Sequence, residues 1–119
     1  LICYGPMVDT CLEAAKEASQ EGRKLEVIDV RSLSPLDMAT VYESVRRTTR
    51  AIVVQEAPRT QGVGAEIAAR LGEELYYVME APVLRVTGWS TPYPPAKAEG
   101  EHIPDVDRIL DAVDRSLAF

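Results

Sequence analysis

The feature that most constrains the fold is an alternation of short apolar runs with longer segments of helical periodicity along the 119 residues. The apolar runs predict strands at residues 1–4, 25–30, 51–55 and 83–86. Between them, apolar residues recur three and four positions apart, which predicts helices. Strands that alternate with helices form layered α/β folds. We therefore expect one α/β domain with four or five strands and four helices.

Two of the predicted helices have clear signals at their ends. Asp37 is the predicted N-cap of the second helix, and Pro104 can open the last one. Apolar residues of the last helix follow the helical period at Val106, Ile109, Leu110, Val113 and Leu117. Between the last strand and this helix, residues 87–103 read as a long irregular segment. Such a long loop in a compact domain is usually functional or packed on a partner.

The charge balance narrows the class of partner. Nineteen acidic residues against thirteen basic ones give a net charge of −6, which disfavours nucleic acid and anionic membranes and favours a basic protein partner. No apolar run is long enough to span a membrane or target the chain for export. We expect a cytoplasmic protein, or one of the mitochondrial matrix in a eukaryote. Because Leu1 already lies in a predicted strand, we also expect residues 1–119 to be one domain of a longer polypeptide.

The residue types of catalytic and metal sites are sparse. Cys3, Cys11 and the single histidine, His102, are too few and too far apart for a convincing zinc site. Ser90 and Thr91 do not stand in a nucleophile-elbow sequence. We therefore expect no catalytic residue, no cofactor-binding residue and no metal ligand within this chain.

A pair of glycines leaves one alternative open. Gly62 and Gly64 fall between a predicted strand and a predicted helix, where exposed amides can bind an anion or a nucleotide. The third glycine of a dinucleotide fingerprint is missing, because Ile67 stands at its position. Glycine also serves turns and close packing. A small anion- or nucleotide-binding domain remains the alternative function at this point.

Two further segments suggest protein contacts. A dense group of aromatic and proline residues in the long loop favours a subunit interface over packing on the domain itself: Trp89, Pro92, Tyr93, Pro94 and Pro95. Six acidic residues crowd the last quarter of the chain: Glu99, Glu101, Asp105, Asp107, Asp111 and Asp114. They are either a solvated face or a docking surface for a basic partner.

Four segments in order resemble the C-terminal domain of the β subunit of thiamine-diphosphate-dependent 2-oxo acid dehydrogenases: EVIDVRSLSPLD (26–37), VVQEAPRTQGVGAEIA (53–68), EAPVLRVTGWSTPYPPAK (80–97) and IPDVDRIL (103–110). The RVTG and TPYPP elements are the most specific. The resemblance implies the fold of the transketolase C-terminal domain, with three layers α/β/α. It also implies a mixed, mostly parallel five-stranded sheet with one antiparallel strand.

The same resemblance implies a role in assembly. In this family, thiamine diphosphate and magnesium lie outside the C-terminal domain. That domain contacts the α subunit and a second β subunit, and it docks the basic peripheral subunit-binding domain of the acyltransferase core. The positions that match the family's docking residues are Glu80 and the terminal Phe119. The QEAPRT segment favours a branched-chain substrate, with a pyruvate dehydrogenase as the alternative.

Overall fold

In a computed structural model that describes residues 1–119, the chain forms a four-stranded parallel sheet between two layers of helices. The strands are β1 (Ile2–Cys3), β2 (Ile28–Asp29), β3 (Ile52–Pro58) and β4 (Leu84–Gly88). They lie side by side in the order β2-β1-β3-β4. The helices are α1 (Met7–Gln20), α2 (Met38–Thr48), α3 (Val63–Leu75), α4 (Glu99–His102) and α5 (Val106–Leu117), and a short 3₁₀ turn (Ala96–Ala98) precedes α4.

The central strand β3 shows why the fold has three layers. Its residues Ile52, Val53 and Val54 are all buried, because helices cover both faces of the sheet. Val53 packs in one core cluster, with residues of α2 and α3. Ile52 and Val54 point to the other face and pack with residues of α1 and α5. The predicted three-layer α/β/α architecture is confirmed.

The four strands predicted from the apolar runs are present, but the fifth, antiparallel strand implied by the resemblance is not. The sheet has four strands, all parallel, and not five with one antiparallel. After β4 the chain enters a segment that contains Pro92, Pro94 and Pro95. Proline lacks the backbone N–H that a sheet ladder requires, so this segment cannot pair as a regular strand.

The helix cap predicted at Asp37 is confirmed, whereas Pro104 precedes the last helix and does not open it. The Asp37 side chain accepts a hydrogen bond from the Thr40 amide at 3.1 Å and caps α2. The last helix begins at Val106, two residues after Pro104, and Asp105 caps it by accepting from the Arg108 amide at 2.9 Å. The predicted irregular segment 87–103 is partly helical, because the 3₁₀ turn and α4 lie within it. None of the helices is long and apolar enough to cross a membrane.

Candidate functional site

The loop between β3 and α3, where the sequence left an anion site open, is built around a buried glutamine. The Gln55 side chain is fully buried, and its Oε1 accepts a hydrogen bond from the Gly64 amide at 2.7 Å. Its Nε2 donates to the carbonyl of Pro58 at 2.9 Å. The Tyr4 hydroxyl donates to the same Oε1 at 3.2 Å. The amide that would face an anion is therefore already paired within the domain.

The two glycines make room for this glutamine. A Cβ atom at Gly62 would lie 2.1 Å from Gln55 Nε2, and one at Gly64 would lie 2.6 Å from Gln55 Oε1. Real Cβ atoms do not approach other atoms so closely, so only glycine fits at both positions. The geometry gives Gly62 and Gly64 a packing role, and it does not support the anion- or nucleotide-binding alternative.

Glu80, one of the two predicted docking residues, lies between α3 and β4 and is exposed. Its amide donates to the Thr49 carbonyl at 2.9 Å, which ties it to the end of α2. Its carboxylate accepts from Arg50 Nη2 at 3.3 Å. Arg50 Nη1 donates to the carbonyl of Ser116 in the last turn of α5. Arg50 thus connects Glu80 to the end of the chain.

Phe119, the other predicted docking residue, follows the last turn of α5 and is 68% exposed. Because α5 runs opposite to the strands, its end lies at the same edge of the sheet as the beginning of β4. Glu80 and the terminal residue are therefore brought to one edge. The structure places both residues where a partner could reach them, and their docking role remains a prediction.

A cleft of about 270 Å³ lies at this edge, and both Glu80 and the last turn of α5 line it. It lies at the amino ends of the strands, and Glu26, Thr48, Arg50, Glu80 and Ser116 supply much of its polar wall. The Ser116 hydroxyl is buried without a hydrogen-bond partner. A hydrogen bond from Ser44 lowers the pKa of the Glu26 carboxyl, and Arg47 acts in the same direction. This edge of the sheet therefore carries three charged groups, which are the Glu26 carboxylate, the Arg50 guanidinium and the Glu80 carboxylate.

Sequence reasoning missed two exposed aromatic residues beside Glu80. Tyr76 and Tyr77 directly follow α3 and are 72% and 96% exposed. Their rings pack edge to face with centroids 5.1 Å apart. The sequence contained a signal for them, because the buried apolar stripe of α3 ends at Leu75 and leaves the next two tyrosines without a core position.

The aromatic and proline segment after β4 packs partly on its own domain. The indole N–H of Trp89 donates to the Glu101 carbonyl at 3.0 Å, and the Arg108 guanidinium lies 4.6 Å from the centre of the Trp89 ring. Tyr93 packs edge to face on His102. Trp89 and Tyr93 nevertheless remain 54% and 57% exposed. Among the prolines, Pro92 and Pro95 are exposed and Pro94 is half-buried. An interface role for the segment stays a prediction.

The polar contacts of this segment are local. The Tyr93 hydroxyl donates a hydrogen bond to the Glu99 carboxylate, which raises the pKa of Tyr93 to about 12. His102 is buried, and a Cβ atom on Gly88 would lie 2.8 Å from its Nε2. His102 therefore packs against the end of β4.

Four of the six acidic residues in the last quarter of the chain are engaged within the domain, and one of them is Glu99, which accepts the hydrogen bond from Tyr93. Asp105 caps α5. Asp111 pairs with Arg115 at 3.7 Å, and Asp114 pairs with Arg23. No group of three or more histidine, cysteine, aspartate or glutamate residues is arranged to hold a metal ion.

Comparison with known proteins agrees with this fold. The family described as "Transketolase, C-terminal domain" matches residues 1–109. The pyruvate dehydrogenase E1 component subunit beta of Leifsonia xyli is 54% identical over 119 residues, which are 100% of this chain and 35% of that protein. The 3-methyl-2-oxobutanoate dehydrogenase subunit beta of Mycobacterium tuberculosis is 50% identical over 118 residues, 98% of this chain and 34% of that protein.

A solved structure shows the same arrangement in three dimensions. A split-gene transketolase, described as an inactive beta4 tetramer, superposes with a TM-score of 0.83 at 30% identity over 98% of this chain and 37% of that one. The chain thus spans about a third of the length of the curated relatives it matches. The resemblance to the β subunits of 2-oxo acid dehydrogenases is confirmed, and the chain belongs to the transketolase C-terminal domain family.

Proposed function

We propose that this chain is the assembly and partner-docking domain of the β subunit of a thiamine-diphosphate-dependent 2-oxo acid dehydrogenase. The observation that carries the proposal is the identity of 50–54% to two such β subunits over nearly the whole chain. The complete enzyme would decarboxylate a 2-oxo acid oxidatively and transfer the acyl group to lipoyl groups. Thiamine diphosphate and magnesium would be bound by parts of the enzyme outside this chain.

The substrate class is a 2-oxo acid, with a branched-chain acid favoured by the QEAPRT segment. One of the two relatives is named for pyruvate and the other for 3-methyl-2-oxobutanoate, at 54% and 50% identity. The test is the initial rate of the complete enzyme with each acid at equal concentration. A higher kcat/KM for 3-methyl-2-oxobutanoate supports the branched-chain assignment, and a higher value for pyruvate replaces it.

The docking part of the proposal rests on Glu80 and Phe119. Glu80 is exposed, bears one contact to Arg50 and lies at the same edge as the end of the chain. An exposed acidic residue at this edge fits a basic partner, such as the peripheral subunit-binding domain of an acyltransferase core. Arg50 is a positioning residue here, because it holds the Glu80 side chain and the last turn of α5 in one arrangement.

A calorimetric titration of the assembled α and β subunits with that small domain tests the docking role. Glu80→Gln should weaken binding roughly two- to fivefold, the range of one exposed ion pair, and the effect should shrink at high salt. Deleting Phe119 should weaken binding in the same way. Glu74→Gln is the matched control, since Glu74 is a similarly exposed glutamate paired with an arginine. Equal affinities in all variants contradict the docking site.

The assembly part of the proposal rests on the largely exposed segment after β4, which would contact the α subunit or the second β subunit through Trp89, Pro92, Tyr93, Pro94 and Pro95. Trp89→Ser and Tyr93→Ser should each lower the fraction of assembled enzyme in sedimentation velocity. Leu12→Ser is the control, because Leu12 is 52% exposed on α1, far along the chain from this segment. Normal assembly of both variants contradicts the interface.

A further inference from the structure

Three arginines stand apart from the others by their lack of an acidic partner. Seven of the ten arginines lie within 4.0 Å of a carboxylate. The three that do not are Arg59, Arg85 and Arg108. They come from the loop after β3, from β4 and from α5, and all three line one cleft. The three arginines without an acidic partner therefore lie in the same cleft, although the chain as a whole has a net charge of −6.

The cleft is large enough for a small ligand. Its volume is about 420 Å³, within the usual range for such sites. Leu84, Val86 and Ala112 form an apolar floor, and the exposed Trp89 stands at one side. Four arginines and two aspartates line it, which leaves an excess of positive charge. One of the aspartates, Asp111, already pairs with the fourth arginine, Arg115.

The side chains of Arg59 and Arg85 are each held by the backbone of the other residue. Arg59 Nη1 donates to the backbone carbonyl of Arg85 at 3.2 Å, and Arg85 Nη1 donates to the backbone carbonyl of Arg59 at 3.0 Å. Each guanidinium uses one of its five N–H groups in this exchange. Both side chains are thereby fixed in the cleft with most of their donors free to bind an anion.

The third guanidinium is fixed as well. Arg108 Nη2 donates to the Thr87 carbonyl at 2.6 Å, Arg108 Nη1 donates to the His102 carbonyl at 3.5 Å, and the group stacks on Trp89. The carbonyls of Arg85 and Thr87 are two residues apart on the outermost strand, so the arginines also block this edge of the sheet against pairing. Because the side chains are already ordered, a ligand would immobilise little further on binding.

From this geometry we infer that the cleft between β4 and α5 binds a small ligand with an oxyanion group, a phosphate or a carboxylate, next to an apolar or planar part. Planar guanidinium groups match both oxyanions with paired hydrogen bonds. The apolar floor and Trp89 would receive the remainder of the ligand. Asp107 on the opposite wall disfavours an anion there, so the oxyanion lies on the side of Arg59 and Arg85. This site is separate from the edge that bears Glu80 and Phe119.

Isothermal titration of the complete protein that contains this chain tests the site, with inorganic phosphate and citrate as separate probes. Arg59→Gln and Arg85→Gln should each weaken binding about tenfold, the factor for loss of one charge-assisted hydrogen-bond pair. Arg46→Gln is the matched control, since it removes the same charge from an exposed arginine on α2 that pairs with Glu74 at 2.9 Å. It should bind like the wild type.

The titrations with phosphate and citrate distinguish the possible ligand classes. Binding of phosphate but not citrate assigns a phosphorylated ligand, and binding of citrate but not phosphate assigns a carboxylate ligand. Binding of both assigns a general oxyanion site. Absence of heat with both probes overturns the inference, and so does equal affinity in the cleft variants and the Arg46→Gln control. Arg59 is exposed in a loop, so Arg59→Gln is expected to keep the fold. This variant therefore tests the site even if Arg85→Gln does not fold.

Discussion

The side-chain oxygen of Gln55 accepts the backbone N–H of Gly64 at 2.7 Å, and the space that a side chain at Gly64 would need is occupied by Gln55 itself. A buried polar side chain and a glycine amide thus satisfy each other across the β3–α3 loop. Buried polar groups are costly unless they are paired, so the contact fixes the path of the loop.

The first prediction concerns Gly64→Ala. A Cβ atom there would lie 2.6 Å from Gln55 Oε1 and 2.9 Å from Val53 Cγ1, so we expect the free energy of unfolding to fall by about 1–3 kcal/mol. Gly72→Ala is the control, since a Cβ at this helical glycine meets no atom within 4 Å. It should raise the free energy of unfolding by about 0.5–1 kcal/mol. Urea denaturation followed by circular dichroism distinguishes them, and changes of the same sign contradict the packing role.

The second prediction concerns the acid side of the stability profile. A hydrogen bond from the Thr40 hydroxyl, with a second from the Thr40 amide, lowers the pKa of the Asp37 carboxyl. This carboxylate therefore stabilises the fold above about pH 4, the ordinary value for aspartate, and the contribution is lost as the pH falls through the lowered native pKa. Asp37→Ala should destabilise the protein at neutral pH, and its difference from wild type should shrink in acid.

Asp37→Asn separates capping from charge, because asparagine caps helices well but does not titrate. Its stability should lie closer to wild type than that of Asp37→Ala at neutral pH. Urea midpoints near neutral pH and near pH 3 provide the comparison. If the difference in urea midpoint between wild type and Asp37→Ala is the same at neutral pH and near pH 3, the prediction is contradicted.

The third prediction concerns the alkaline side. The hydrogen bond to Glu99 raises the pKa of Tyr93 to about 12 by stabilising the protonated phenol. Its contribution to stability is complete below about pH 10, the ordinary value for tyrosine, and is lost as the pH rises through about 12. Glu99→Gln should return the pKa of Tyr93 towards the ordinary value, whereas Glu101→Gln should not. Carbon-13 NMR of labelled tyrosine rings measures this directly, and an unchanged Tyr93 titration in Glu99→Gln refutes the contact.

The fourth prediction concerns the two thiols. Cys3 and Cys11 are free and fully buried in the core between the sheet and the helices α1 and α5. A hydrogen bond with Cys3, together with burial, raises the pKa of the Cys11 thiol. Both thiols should resist a disulfide reagent in the native protein and react at once in denaturant. Rapid labelling of either thiol under native conditions would show that this part of the core opens.

Local patterns were enough to predict the elements whose signals repeat over several turns. The apolar stripe of α5 and the buried run of β3 are both present in the structure, because helical and strand periodicity are properties of neighbouring residues. The predicted strands at residues 1–4 and 25–30 shrink to two paired residues each, Ile2–Cys3 and Ile28–Asp29. Strand length depends on where a neighbouring strand ends, and local sequence does not contain that information.

Some residues of the candidate sites were predictable from the sequence, and others were recognised only in the structure. Glu80 and Phe119 were predicted from motif resemblance, and the Trp89 segment from its density of aromatic and proline residues. Tyr76, Tyr77 and Arg50 were recognised only from their exposure and contacts. The glycine pair looked like an anion site in sequence. The packing role of Gly62 and Gly64 was recognised only from their contacts with Gln55, which lies seven and nine residues earlier in the chain.

By itself the sequence determined the class of fold, the order of its elements, the helix cap at Asp37, and the family, because these depend on local patterns and motif order. Only the tertiary structure decided that the sheet is fully parallel, that Arg50 connects Glu80 with the end of α5, and that Arg59, Arg85 and Arg108 meet in one cleft. These relationships join residues more than twenty positions apart. Parallel strands and their crossover helices bring such residues together, and no local pattern encodes that meeting.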